Sequence, residues 1–260
     1  MKSENIKRAV FCLGAFLVFV IAWEVCVGVF GMFKHTLPAP SGIAKYLFAS
    51  VADLTLPKAI LVTMQRLLLG YAIGLAVGIP VGMLCARFNA FNDTIGMMAL
   101  GLQALPSVCW VPLAIMWFGQ TEQAMLFVVV MGTVWSMILA TIHGVKNIPP
   151  IYLRAASTMG SKGMHTWLHV VLPASLPSIL GGMKQGWAFA WRSLMAAEIY
   201  VTILTGFGLG QLLHYGRELL DMNQVMGVMF TVIAIGLLVD KLLFSPLENG
   251  LRKKWGISKN

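Results

Sequence analysis

The chain has 260 residues, of which 58% are hydrophobic and only 11% charged, with a mean hydropathy of +0.80. A water-soluble domain of this length needs far more polar surface, so the composition points to a polytopic helical membrane protein. The net charge of +9 does not signal nucleic acid, because the basic residues cluster at the ends of apolar runs, where topological signals sit.

Six spans are drawn in chain order, each near the roughly 20 residues that cross a bilayer. The first covers about 9–33 and follows Lys2, Lys7 and Arg8. It is too long for a signal peptide and lacks a small-x-small cleavage site, so it is expected to stay as a membrane helix. A polar stretch with Pro38, Pro40, Ser41 and Gly42 follows, and 43–51 reads as a short interfacial helix. The remaining spans cover about 59–87, 93–118, 123–145, 176–204 and 225–244.

The second span carries Gly70, Gly74, Gly78 and Gly82 at strict four-residue spacing. Residues so spaced share one helix face, and a glycine groove lets another backbone come close. Tight helix packing is the expectation, with a bend at Pro80. The third span contains Leu105-Pro106-Ser107 and Val111-Pro112. Two prolines in mid-membrane free backbone carbonyls, which is tolerated where neighbours or a water-lined path satisfy them. Pro106 and Pro112 therefore mark either a packed kink or a pore-lining break.

Lys and Arg placement sets the orientation. One side holds Lys2, Lys7, Arg8, Arg87, Lys146, Arg154, Lys162, Arg252, Lys253, Lys254 and Lys259; the other holds Lys34, Lys45, Lys58 and Arg217. Both termini, and the loop between the fourth and fifth spans, are placed in the cytoplasm.

That loop, 147–175, is the most informative part of the chain. Pro149-Pro150 starts a helix, the segment 151–159 continues it, and Gly160-Ser161-Lys162-Gly163 breaks it. The segment 164–172 reads as a second short helix, ended by Leu172-Pro173 and Leu176-Pro177. Met159, Met164, Trp167 and Leu168 are too many apolar side chains for a solvated linker. They rest on the bilayer surface or fill a groove in a partner.

Four ionisable residues fall inside spans: Glu24, Arg66, Arg192 and Glu198. Such residues are functional candidates by default. Arg66 is expected to snorkel to the interface. Arg192, beside Ser193, either faces the translocation path and favours an anion or forms a structural pair with Glu198, Glu24 or a second copy. Arg192 and Glu198 are six residues apart, so a pair within one helix is awkward. His165 and His169 share an i, i+4 face, a spacing that can bind metal, but no third ligand is evident and surface or docking histidines are the expectation. Cys12, Cys26, Cys85 and Cys109 lie in apolar segments without CxxC spacing and are expected to be buried, inert thiols.

The loop resembles a family signature. Ala155, Ala156, Gly160, Leu172 and Pro173 match, at the right spacing, the Glu-Ala-Ala-x3-Gly-x9-Ile-x-Leu-Pro pattern of the inner-membrane permeases of binding-protein-dependent ABC importers. Val170 replaces Ile, and Arg154 stands where the family has Glu. Leu105-Pro106-Ser107, Trp110-Val111-Pro112-Leu113, Trp117-Phe118-Gly119, Ala197-Glu198 and Gly206-Phe207-Gly208-Leu209-Gly210 extend the likeness to the nitrate, sulfonate, taurine and bicarbonate group.

The resemblance implies an all-α type I importer permease, a single domain over 1–260, in a bacterial inner membrane. It implies two permease copies, an ATPase docked at residues 154–173, and an extracytoplasmic solute-binding protein that supplies a small anion. No cofactor is implied for this chain, since ATP belongs to the partner. Consistently, the chain has no Gly-x4-Gly-Lys-Ser/Thr loop. Arg192, Ser193, Glu198, Pro106 and Pro112 are the candidates for the translocation path. The rival readings are a self-sufficient secondary transporter or channel, and an intramembrane enzyme. Few mid-span acids argue against the first, and no nucleophile–base set is visible for the second.

Overall fold

The computed structural model describes residues 2–29, 36–203 and 206–254, and among these there is no strand. Residues 30–33 of the first span, Lys34, residue 204 and Lys259 lie outside the described residues.

Helix α1 runs Lys2–Glu24 and continues through a wide turn to Val29. Helix α2, Pro40–Ala52, is the expected short helix after the first span. The Glu24 carboxylate ties the two together, accepting from the Ser41 backbone N–H at 2.9 Å and its hydroxyl at 2.8 Å. A carboxylate over the first turn of α2 meets orphan amides and the positive helix end.

Helix α3, Thr55–Arg87, runs through Pro80. The third span is two helices, α4 (Asn89–Gln103) and α5 (Ser107–Phe118), bent from one another by 101°. Helix α6 is Glu122–Lys146, and α7, Pro150–Thr158, lies in the loop. Helix α8 is Leu172–Tyr200. Helix α9, Leu209–Glu218, was not expected from sequence. The last helical stretch, α10, is Met222–Gly250, and Asp221 caps it by accepting from the Gln224 N–H at 3.1 Å, which answers one unpaired first-turn amide.

Among the described residues three helices are long and apolar enough to cross a membrane, namely α3, α6 and α10, and the bent pair α4–α5 makes a fourth if counted as one span. Helix α8 also has spanning length, 29 residues, but carries Lys184, Arg192 and Glu198.

Helix α6 is the centre of the bundle, with its most extensive contacts to α3 on one side and α8 on the other. The four-residue glycine stripe makes the first contact possible. A β-carbon added at Gly70 would lie 2.7 Å from Val129, and at Gly74, Gly78 and Gly82 it would lie 2.6 Å from Thr133, Met137 and Thr141. Those partners are themselves four residues apart, so the ridge of one helix follows the groove of the other. The α6–α8 seam uses the same device with Gly132, Gly144, Gly182 and Gly186.

Two expectations about side chains need correction. Cys26 and Cys109 are exposed, and only Cys85 of the described thiols is buried, because their helix faces point away from the bundle. Arg66 does not snorkel. It is 5% exposed and held inside the bundle by partners described below.

Candidate functional site

The loop forms first from local rules. Pro150 occupies the first turn of α7, where its missing N–H costs nothing. Gly160 has φ +79°, a conformation that favours glycine. Around it the Ser161 N–H donates to the Ala156 carbonyl at 2.9 Å, and the Gly160 N–H to the Ser157 carbonyl at 3.0 Å. This is a Schellman stop, which satisfies two carbonyls left over at the helix end. It explains why a glycine stands four residues after Ala156, which is buried while Arg154 and Ala155 are exposed.

The second arm differs from the expectation of a short helix ended by Pro173. Helical structure runs on from Met164 into α8, through a wide turn at Trp167–Val171. The Leu172 N–H donates five residues back, to the Trp167 carbonyl. That shift of bonding register lets Pro173 follow without breaking the helix. Side chains from α3 brace this arm: the Arg87 guanidinium lies 5.7 Å from the Trp167 ring centroid.

Much of the loop's apolar surface stays bare. Met159 at the turn is 86% exposed, Ile151 66%, and Met164 58%. His165 and His169 stack with ring centroids 4.3 Å apart, and the Ser161 hydroxyl shares a 2.9 Å hydrogen bond with His165 Nδ1. Among the described residues no group of three metal-ligating side chains occurs.

At the opposite end of the bundle lies a charged cluster that sequence spacing did not reveal. Glu198 is 0% exposed. Its carboxylate accepts from Thr63 Oγ1 at 3.0 Å, Arg66 Nη1 at 3.1 Å and the Gly210 N–H at 2.9 Å. Arg66 Nη2 reaches Glu122 at 3.1 Å and the Gly206 carbonyl at 3.3 Å. The Leu209 N–H donates to Thr63 Oγ1 at 2.8 Å.

A side chain at Gly208 would collide with the Glu198 carboxylate, and one at Gly210 would lie 2.5 Å from Glu198 Cβ. The Gly-Phe-Gly-Leu-Gly stretch is thus the start of α9 laid directly on a buried carboxylate, at the positive end of a helix. Glu198 was expected on the translocation path. The structure instead seals it into this cluster, because three elements far apart in sequence converge on it.

The third feature is the break between α4 and α5. Residues 104–106 turn the chain, and a hollow of about 270 Å³ opens beside them, lined by Pro106, Ser107, Trp135, Arg192 and Ser193 among others. Of the expected path residues, the structure thus brings together Pro106, Arg192 and Ser193. Pro112 lies within α5 and is exposed away from the hollow. Arg192 is not paired with Glu198 or Glu24. Its Nε donates to the Ala188 carbonyl at 3.0 Å, and its guanidinium lies 4.8 Å from the Phe189 ring centroid.

A family model described as the binding-protein-dependent transport system inner membrane component matches residues 78–245, well over half of the chain. The chain is 35% identical over 181 residues to a putative ABC transporter permease protein of Methanocaldococcus jannaschii, covering 70% of this chain and 67% of that protein. It is 29% identical over 224 residues to the putative aliphatic sulfonates transport permease protein SsuC of Escherichia coli, covering 85% and 83%. The bicarbonate transport system permease protein CmpB of Synechococcus elongatus is 29% identical over 184 residues, covering 70% and 64%.

The fold matches a solved structure of the MetNI methionine ABC transporter in an inward-facing form, with a TM-score of 0.62 and 17% identity over 72% of this chain and 92% of that one. The chain belongs to the inner membrane components of binding-protein-dependent transport systems, and is a multi-pass permease subunit of an ABC importer.

Proposed function

We propose that the chain forms, with a second copy of itself, the path by which a small anion delivered by an extracytoplasmic binding protein enters the cell. A sulfonate, taurine, nitrate or bicarbonate is the solute class. The names of the Escherichia coli and Synechococcus relatives, aliphatic sulfonates and bicarbonate, support it. Both termini and the 147–175 loop lie in the cytoplasm, as the Lys and Arg distribution supports. ATP is bound and hydrolysed by the partner ATPase.

The single observation that carries the docking role is the bare apolar tip of the loop. Met159, Ile151 and Met164 are exposed on a turn that is otherwise stiffened by the Schellman stop and by Arg87 against Trp167. A rigid element with an uncovered apolar face is what helix-in-groove docking uses. Arg154, Ala155, Ala156, Gly160, Leu172 and Pro173 are the docking element. Gly160 and the turn before Pro173 set its shape, and Arg154 meets the partner directly. The self-sufficient transporter or channel is not favoured by the family match.

Reconstitution tests this reading. The chain in proteoliposomes with its ATPase and binding protein takes up solute only when ATP is present inside the ATPase compartment. Uptake by the chain alone, or uptake indifferent to ATP, overturns it.

A further inference from the structure

Two residues that line the hollow at the broken third span carry buried side-chain donors with no acceptor. The Ser193 hydroxyl is buried, in a residue 0% exposed, and has no partner. The Trp135 indole N–H is also buried and unpartnered. Both residues line the same hollow. Native structures leave few buried polar atoms unpaired, and each that remains calls for an explanation. Two in one cavity are explained together if the cavity takes a ligand.

Arg192 supplies the charge. It lines the same hollow, and its Nε and ring stacking hold it against its own helix. Its two terminal nitrogens have no partner among the described residues, and no carboxylate lies within ion-pair distance. Arg192 stands eight residues before Tyr200, the end of α8, hence about 12 Å along the axis from that end. Arg192 is exposed, and a guanidinium within a helix of spanning length calls for an anion or a watery path. No Asp or Glu lines the hollow, so the site carries net positive charge.

Size agrees with chemistry. A hollow of about 270 Å³ is roughly nine times a water molecule's share of liquid volume, enough for a small oxyanion and its first bonded groups. A cation is repelled by Arg192. An uncharged solute satisfies the two neutral donors but leaves the guanidinium unpaired.

We propose that this hollow is an oxyanion subsite on the translocation path, in which Arg192 contributes charge and paired donors, and Trp135 and Ser193 contribute one neutral donor each. The inference rests on the reading of the chain as a permease for small anions, and it adds where the anion is held. A planar or tetrahedral head with three oxygens engages all three residues at once; the guanidinium fork suits such a head.

The test uses the complete transporter, permease with its ATPase and binding protein, in proteoliposomes loaded with ATP. Uptake of labelled ethanesulfonate, nitrate and bicarbonate is measured separately for the wild type and for Trp135→Phe, Ser193→Ala and Arg192→Gln. Each substitution removes donors while keeping approximate shape. The expected result is a loss of at least about tenfold in uptake at limiting substrate for Arg192→Gln, and a smaller but additive loss for the other two. Co-purification with the ATPase is measured for each variant, so that a loss of uptake reads on the subsite and not on the assembly of the complex.

Uptake within twofold of wild type in all three variants overturns the subsite and leaves the hollow to water. A wild-type complex with solute-stimulated ATP hydrolysis that takes up none of the three anions also overturns it. Failure of the broader reading looks different: uptake of solute with no dependence on ATP in the wild type itself.

Discussion

Replacing Glu198 by Ala removes the acceptor at the centre of a buried cluster. Glu198 is 0% exposed and Arg66 5%, and the pair closes at 3.1 Å. Breaking a buried pair from one side leaves the other charge uncompensated, at about 3–5 kcal/mol. Arg66 keeps Glu122, whose side chain is 55% exposed, and the Gly206 carbonyl. That places the loss near the lower bound, about 3 kcal/mol. In a chain of this size 1 kcal/mol moves the midpoint by roughly 2–4 °C, so the expected fall in Tm is roughly 6–12 °C.

The assay is thermal unfolding of the detergent-solubilised permease, followed by size-exclusion recovery after heating. Glu198→Gln falls between, since its amide presents a donor to the Gly210 and Arg66 donors. The double variant Arg66→Met with Glu198→Met recovers part of the loss, because no unpaired charge remains. A Tm fall below 2 °C for Glu198→Ala refutes the reasoning. So would a double variant no better than the sum of its single variants.

Other consequences follow from the same geometry. Gly74→Leu puts atoms where Thr133 already stands, and recovery of folded protein should collapse, whereas Gly101→Ala meets nothing within 4 Å and should leave expression and Tm unchanged or slightly raised. Gly160→Ala strains a φ of +79° and costs about 1 kcal/mol in loop stability, seen as weaker association with the ATPase, while Gly160→Asn is milder because Asn tolerates that region. Met159→Asp removes an 86% exposed apolar anchor worth about 1.5–3 kcal/mol when buried, so affinity for the ATPase should drop about 10- to 100-fold in pull-down titrations. Arg154→Glu restores the family's charge and should weaken ATPase coupling, because the partner surface matched to Arg154 lacks an unpaired basic residue there; improved coupling contradicts this.

Much of the loop was legible because it is local. Pro150, Ala156 and Gly160 obey turn rules that act within six residues, and the Schellman stop needs no distant partner. Pro173 misled because a wide turn five residues long preserves a helix that proline normally ends, and such turns carry no distinctive spacing. The glycine stripe was legible as a packing face, since a four-residue period shows in one helix alone. Its partner ridge of Val129, Thr133, Met137 and Thr141 is equally periodic but is not marked out among ordinary apolar residues.

Arg66 and Glu198 show the limit most clearly. They stand 132 residues apart, and Glu122 and Gly206 join them from two further elements. The one available signal was the glycines at 208 and 210, whose lack of side chains matches a buried carboxylate ten and twelve residues back.

Composition and period alone determined that the chain is a helical membrane protein with a stiff loop between its fourth and fifth spans, because lipid demands apolar runs and turns demand particular residues. Only the tertiary structure decided which charges are sealed and which are open. Glu198 is neutralised by convergence of three helices, while Arg192, six residues earlier on the same helix, faces a hollow with no acid in it. The difference lies in what packs against each side of one helix, and that depends on contacts far apart in sequence, 132 residues for Arg66 and Glu198 and 57 for Trp135 and Arg192.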